Sequence, residues 1–389
     1  MKAFINNNKR TIAVLLAAVV IFVAARIWIS PASGEDTGTQ PEEYAEYDTG
    51  TVLEILSDST EADDAADGAY RGDQLMLVEI TSGRYEGETM QVYNYVGPLY
   101  GAPLKVGDSA VLIVSTYADG SHTATVYEFN RLLALAAIIA LFVIATVLVG
   151  GKTGAKSLIS LVITLICIFL ILLPMLMKGF PTLLTVFLIC AYVAVVSFTI
   201  LGGVSRKTLC ASLATICGIA VALLFGLAAQ ALARIDGLRL ADVEPLLQLR
   251  QTGTPIGLRY LLVGGIVISA LGAVMDVAMS IASAISEIHS VNPTLSTKEL
   301  FRSGMNIGRD MVGTMTNTLI LAFLGSSFVI VIYLYSIGLQ PYQLLSSSYF
   351  AIEVISGISS SIGVIISVPL TALISAYVHG WQKAIKKIR

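Results

Sequence analysis

The chain has little charge, few cysteines and few histidines. Only 13% of its 389 residues are Asp, Glu, Lys or Arg, against 55% that are hydrophobic, where soluble domains carry about 25% charged residues. That scarcity excludes an ordinary cytosolic globule. The four cysteines, Cys167, Cys190, Cys210 and Cys217, all lie in apolar runs. They have neither metal-ligand spacing nor the framework of a disulfide-stapled domain, and read as packing residues. The three histidines, His122, His289 and His379, are scattered and form no cluster. No serine–histidine–acid motif, metal-spaced group or nucleotide loop stands out. The expectation is therefore a non-enzyme without metal or cofactor. GGKTGAKS at 150–157 lacks the first glycine of a phosphate-binding loop, where Thr146 stands, and reads as a turn.

What charge there is falls unevenly. Residues 31–129 hold 19 of the 27 acids and only Arg71, Arg84 and Lys105, so 3 − 19 = −16. The rest holds 21 basic and 8 acidic residues, so 21 − 8 = +13. A net −16 argues against a nucleic acid partner.

Long apolar runs fill the remainder. Thr11–Ile29 is long enough to span a bilayer and follows Lys2, Lys9 and Arg10. Arg26 can snorkel at its outer end. A cleaved signal peptide is the rival for residues 1–33. Pro31–Tyr47 is an acidic linker. Tyr47–Asn130 alternates apolar and polar residues, with strands expected at Gly50–Leu56, Leu75–Ile80, Thr89–Tyr95, Ser109–Ser115 and Thr123–Glu128. Turns are expected at Gly83–Gly87, Gly107–Asp108 and Asp119–Gly120. Five short strands suggest a small OB- or SH3-like barrel, with the acidic Asp58–Asp73 as a solvated loop. Further spans are expected at Leu132–Val149, Leu158–Leu176, Thr182–Leu201, Leu209–Ala231, Tyr260–Ile285, Met311–Tyr335 and Tyr349–Val378, with a short surface helix at Ala241–Leu249.

The fold class expected is thus a mainly α, polytopic membrane helix bundle of about eight spans, with a small all-β extracytoplasmic domain between spans one and two. Residues 1–30 form an anchor, 31–130 the acidic β domain and 131–389 a seven-span membrane domain. Eight spans put both termini on one side. The basic turns at 1–10, 150–157, 205–207, 298–309 and 383–389 make that side the cytoplasm. The outer loop 234–259 departs from the pattern with Arg234, Arg239, Arg250 and Arg259.

Ionisable residues inside spans mark functional sites, because each costs at least ~2.5 kcal/mol to insert. In the sixth span Asp276 shares a helical face with Gly272, Ser280, Ser283 and Glu287. In the seventh, Asp310 shares one with Asn306, Gly313, Thr314 and Asn317. Such stripes line an ion or substrate path, or glue helices together through small and polar residues. Asp276 falls toward the cytoplasmic side and Asp310 begins the next helix there, so the two carboxyls could meet and share a proton. Glu353 in the eighth span lies near the outer boundary, followed by Ser356, Gly357, Ser360 and Ser367. Gly357–Gly363 could unwind as broken transporter helices do, with close packing the plainer reading.

The stretches Ala270–Asp276, Met279–Ser283, Ser303–Gly304, Ile307–Asp310, Gly313–Met315 and Asn317–Leu319 resemble the YibE/F family of bacterial membrane proteins. That resemblance implies a multi-pass protein but no established activity. A looser similarity points to the SecD/RND permease superfamily. The expectation is a permease-like protein of the bacterial cytoplasmic membrane, proton- or ion-coupled, its partners the lipid bilayer and a second copy or an envelope protein. The alternative is a non-transporting scaffold or export accessory whose outer domain binds an envelope component.

Overall fold

The computed structural model describes Val19 and residues 44–117, 121–240 and 243–386. The expected anchor, most of the linker and the turn at Asp119–Gly120 lie outside the described residues. The chain divides into two compact units, Pro31–Ala145 and Thr146–Arg389 with Met1–Ser30.

The first unit holds six strands: β1 Tyr44–Asp58, β2 Glu61–Asp63, β3 Ala69–Ile80, β4 Thr89–Val96, β5 Ser109–Thr116 and β6 His122–Phe129. Five of them close on themselves in the order β1-β5-β6-β4-β3, with β3 returning to β1. All pairings around this ring are antiparallel except β4 with β6. That order with one parallel pair is the OB arrangement rather than the SH3 one. The alternation predicts the strands and their inward faces, though not their order: every second residue of β3, from Met76 through Val78 to Ile80, points inward and is buried, as are Val92, Leu112 and Val114. The acidic segment expected as a loop is instead partly a ladder, because β2 pairs Glu61–Asp63 with Ala69–Arg71 on an extended β3.

Two polar residues are built into the barrel wall. Gln74 and Asn94 are each 1% exposed. The Asn94 amide donates to Gln74 Oε1 (2.9 Å) and to the Ala102 carbonyl (2.9 Å), and the Leu104 N–H donates to the same Gln74 oxygen (2.9 Å). Gln74 Nε2 donates to the Leu104 carbonyl (3.2 Å) and to Asp58 Oδ2 (2.9 Å). This network pins the β4–β5 connection to the barrel. The Thr60 hydroxyl, and after it the Gln74 amide, hold the Asp58 carboxyl below its ordinary range.

The helices are α1 Leu132–Cys167, a π-helical segment Ile168–Leu172, α2 Leu173–Met177, α3 Thr182–Gly202, α4 Arg206–Ala233, α5 Glu244–Gln251, α6 Leu261–Val291, α7 Thr297–Ser326, α8 Phe328–Ser336, α9 Pro341–Ser346 and α10 Ser348–Lys386. Five helical stretches among the described residues are long and apolar enough to cross a membrane. The pair α7 and α8, bent by 62° at Ser327, makes a sixth if counted as one.

Several boundaries differ from expectation. The turn expected over Gly150–Ser157 contracts to one residue, Gly151, at φ 54° and ψ −135°, a conformation open to glycine alone. A Cβ on Gly154 would collide with the Thr146 carbonyl. In a straight helix these residues stand about 12 Å apart along the axis, so the chain reverses here. The short surface helix begins at Glu244, with Ala241 and Asp242 outside the described residues. The seventh helix begins at Thr297, much earlier than Met311. A capping box starts it there: the Ser296 hydroxyl accepts from the Glu299 N–H and the Glu299 carboxylate from the Ser296 N–H.

In the second unit α10 is central and touches α4, α6 and α7, while α3 packs on α4 and α6. Glycines permit the close approaches. A Cβ on Gly218 of α4 would stand 2.7 Å from Val274 Cγ1, and one on Gly363 of α10 2.8 Å from Ala222 Cβ. In α7, Gly304 and Gly308 form a Gly-x-x-x-Gly seam. A Cβ at Gly304 would stand 2.6 Å from Ile285 Cδ1 and 3.0 Å from Ala372 Cβ. One at Gly308 would collide with Val368 Cγ1.

Candidate functional site

The acid-bearing stripes sit on α6 and α7, and the packing that fixes their direction is apolar. Val274, Val277, Ala278, Ile281, Ala282 and Ile285 of α6 are buried. Gly272, Asp276, Ser280 and Glu287 occupy the other side and are exposed, with Ser283 half-buried. In α7 the buried row is Leu300, Gly304 and Gly308. Asn306, Asp310, Gly313, Thr314 and Asn317 are exposed on its outer side. The stripes therefore do not glue these helices to their neighbours.

Their relative height follows from the glycine seam. Gly304 meets Ile285 and Gly308 meets Ile281, so α6 and α7 run antiparallel with residue numbers summing to a constant. Extending that register places Asp310 level with Met279, three residues or about 4.5 Å along the axis from Asp276. Asp310 lies thirteen residues into α7 rather than at its start. Among the described residues, neither Asp276 nor Asp310 has a hydrogen bond or an ion pair. The Thr314 hydroxyl donates to the Met311 carbonyl of its own helix (3.0 Å).

Glu353 stands apart from both. It is half-buried and lines a cavity of about 290 Å³ in the crook of the α7–α8 bend, with Phe323, Ser327, Leu334, Tyr349 and Gly357. The Gly357–Gly363 segment does not unwind; it stays helical within α10.

The polar residues that are buried lie elsewhere. Ser356, Ser359, Ser360, Ser361, Ser367, Thr371 and Ser375 of α10 are all buried. The Ser360 and Ser269 hydroxyls lie 3.2 Å apart, and Thr371 donates to the Ser367 carbonyl (2.6 Å). Among the described residues, the hydroxyls of Ser359, Ser361 and, in α4, Thr215 have no hydrogen-bond partner. Serine density in α10 and the four-residue spacing of Gly304 and Gly308 were the available signals for this inner seam.

The histidines are not all scattered. His289 and His379 meet edge to face with ring centroids 5.5 Å apart, and His379 Nδ1 lies 2.9 Å from the Ser375 carbonyl. His122 stacks on Tyr85 at 4.5 Å. No group of three or more His, Cys, Asp or Glu that could hold a metal ion occurs among the described residues. Cys167, Cys190 and Cys210 are buried and Cys217 is exposed, all as free thiols.

No curated protein and no solved structure matches the chain. The YibE/F-like protein family matches residues 138–380, from the first long helix into the last, so it contains both acid stripes, the glycine seam and the serine row. With well over half of its length covered by that match, the chain belongs to the YibE/F family.

Proposed function

We propose that this chain is a permease-like protein of the bacterial cytoplasmic membrane, with a proton- or ion-coupled path along the stripes of α6 and α7. The observation that carries the reading is the pair of unpartnered acids, Asp276 and Asp310, at nearly one height on outward faces. Left against lipid, each would cost at least ~2.5 kcal/mol. A second copy that covers both stripes removes that cost and encloses a polar lane between subunits. Gly272 and Gly313 suit such a contact, since nothing lies within 4 Å of a Cβ at either position.

The topology in this reading has eight spans. The 46 residues of Leu132–Met177 measure about 69 Å at 1.5 Å per residue, enough to cross a ~30 Å core twice. The reversal at Gly151 supports two passes, with Lys152 and Lys156 at a cytoplasmic turn. Counting α7 and α8 as one bent span and Thr11–Ile29 as the first gives eight. Both termini are then cytoplasmic and residues 31–130 outside.

The test is flux and proximity together. Purified protein in liposomes should carry protons or a monovalent cation down an imposed gradient, and Asp276→Asn should abolish this at equal incorporation. Ser280→Cys, on the exposed stripe, should form an intersubunit disulfide with an oxidant. Undiminished flux in Asp276→Asn would refute the carrier role, and absence of any Ser280→Cys cross-link would refute the shared interface.

One observation favours the scaffold alternative. The barrel's outer wall carries exposed Tyr47 against Tyr127 (5.2 Å between centroids) and Tyr93 against Tyr95 (6.2 Å). Paired exposed tyrosines suit an envelope partner. If the protein carries no ion but its barrel retains such a partner, that reading replaces the permease.

A further inference from the structure

The four arginines of the segment 234–259 divide into two kinds. Arg250 donates to the Ile256 carbonyl (2.6 Å) and Arg239 to the Ser348 hydroxyl (3.4 Å), so both staple the loop. Arg234 and Arg259 are exposed and, among the described residues, have no salt bridge. They line one cavity of about 480 Å³ with Gln230, Asp236, Tyr260 and an apolar floor at Leu227.

The backbone holds this cavity in shape. Gly237 N–H donates to the Arg259 carbonyl (2.9 Å), and a Cβ on Gly237 would collide with the Leu258 carbonyl. The segments bearing Arg234 and Arg259 are thereby fixed side by side. Arg234 itself sits at φ 53° in the left-handed region, where a residue with a side chain is strained. Gln230 contributes to the lining but is itself 7% exposed. The Asp236 carboxylate accepts from the Leu238 N–H at 3.3 Å and keeps further acceptor capacity.

Two free guanidiniums and a carboxylate in one cavity describe a ligand with an anionic end and a donor end. We infer that this pocket binds a phosphate ester carrying a hydroxyl or ammonium donor. The phosphate lies between Arg234 and Arg259, and the donor faces the Asp236 carboxylate. This is the chemistry of a phospholipid headgroup and of a free glycerol phosphate. The location favours the lipid, because the pocket lies where α4 ends and α6 begins, with Tyr260 exposed at the rim as interfacial tyrosines are. The inference rests on the membrane reading but not on the path along α6 and α7, so either can fail alone. It also gives the departure from the basic-inside pattern a cause: two of the four arginines hold the loop, and two hold an anion.

The test titrates full-length protein in nonionic detergent with dihexanoyl-phosphatidylglycerol, dihexanoyl-phosphatidylcholine, glycerol 3-phosphate and inorganic phosphate, read by native mass spectrometry. Phosphatidylglycerol should bind more tightly than phosphatidylcholine, whose quaternary ammonium has no proton to donate. Arg234→Asn with Arg259→Gln should weaken binding at least tenfold; Asn tolerates the left-handed backbone. Arg259→Lys should weaken it less, which guards against a variant that merely misfolds. Asp236→Ala should erase the preference for glycerol over choline. Equal binding of glycerol 3-phosphate would support the pocket and assign it a soluble occupant. Undiminished binding in the double arginine variant, or inorganic phosphate binding as well as either ester, would overturn the proposal.

Discussion

The glycine seam of α7 can be tested with its own internal control. Gly308 and Gly313 lie on one helix, and replacing either by alanine should favour helix by ~1 kcal/mol. They differ in what a new methyl meets. At Gly313 there is nothing within 4 Å. At Gly308 the methyl would collide with Val368 and stand 3.0 Å from Ile281 Cδ1. Those partners are 2% and 0% exposed, so neither can swing aside into solvent or lipid. Overpacking of this kind costs ~1–3 kcal/mol. Subtracting one variant from the other cancels the propensity gain. Gly308→Ala should therefore unfold ~1–3 kcal/mol more easily than Gly313→Ala, and Gly308→Leu more easily still. Helical circular dichroism during sodium dodecyl sulfate titration of the purified monomer in mixed micelles, in which no second copy covers Gly313, reads the difference. Coincident transitions for the two alanine variants would refute the seam as the contact that docks α7 onto α6 and α10.

Three further outcomes follow from other parts of the structure. Gln74→Leu removes the acceptor of both the Leu104 N–H and the Asn94 amide; at ~1–3 kcal/mol per buried unsatisfied group, the barrel's chemical unfolding midpoint should fall, and an unchanged midpoint would deny the network its role. Asp58, whose carboxyl is held below its ordinary range by Thr60 and Gln74, contributes stability that is present above the unfolded carboxylate range and lost as pH falls through the lowered folded value; Asp58→Asn should therefore lower the barrel's stability near neutrality and flatten its acid limb, the two curves converging at low pH, and an unchanged curve near neutrality would refute the contribution. Cysteine introduced at Asp119 should react with an impermeant maleimide from outside intact cells and cysteine at Arg206 should not; the opposite pattern would invert the proposed topology.

The strands were legible because one barrel face meets a core and the other meets water. Met76, Val78 and Ile80 alternate with Leu77 and Glu79, and that contrast survives in the sequence. The helix stripes were legible only in part. Helical spacing correctly groups Gly272, Asp276, Ser280 and Glu287 on one face, but it cannot say whether that face meets another helix. In an apolar bundle the covered side of α6 is Val, Ile and Ala, which would serve equally well against lipid. The inner seam is marked instead by glycine and serine at Gly304, Gly308, Ser360 and Ser367, where size rather than polarity decides packing. The meeting of His289 with His379 depends on α6 and α10 lying together, which no local pattern encodes. The acidic Asp58–Asp73 misled because its composition suggests a loop, whereas β2 needs only three residues and a 3₁₀ turn capped by the Asp63 carboxylate.

The reversal at Gly151 limits how this part of the chain can vary through evolution. Most connections between helices absorb insertions, because a longer loop costs little. Here the connection is a single residue in a backbone conformation reserved to glycine, and three positions on, Gly154 must lack a side chain to clear the Thr146 carbonyl. One inserted residue would turn everything beyond it by about 100° around the helix axis. Lys152 and Lys156 would then swing away from the side they now occupy. Length changes should accordingly be purged between Thr146 and Lys156, and tolerated at exposed connections such as that between α8 and α9.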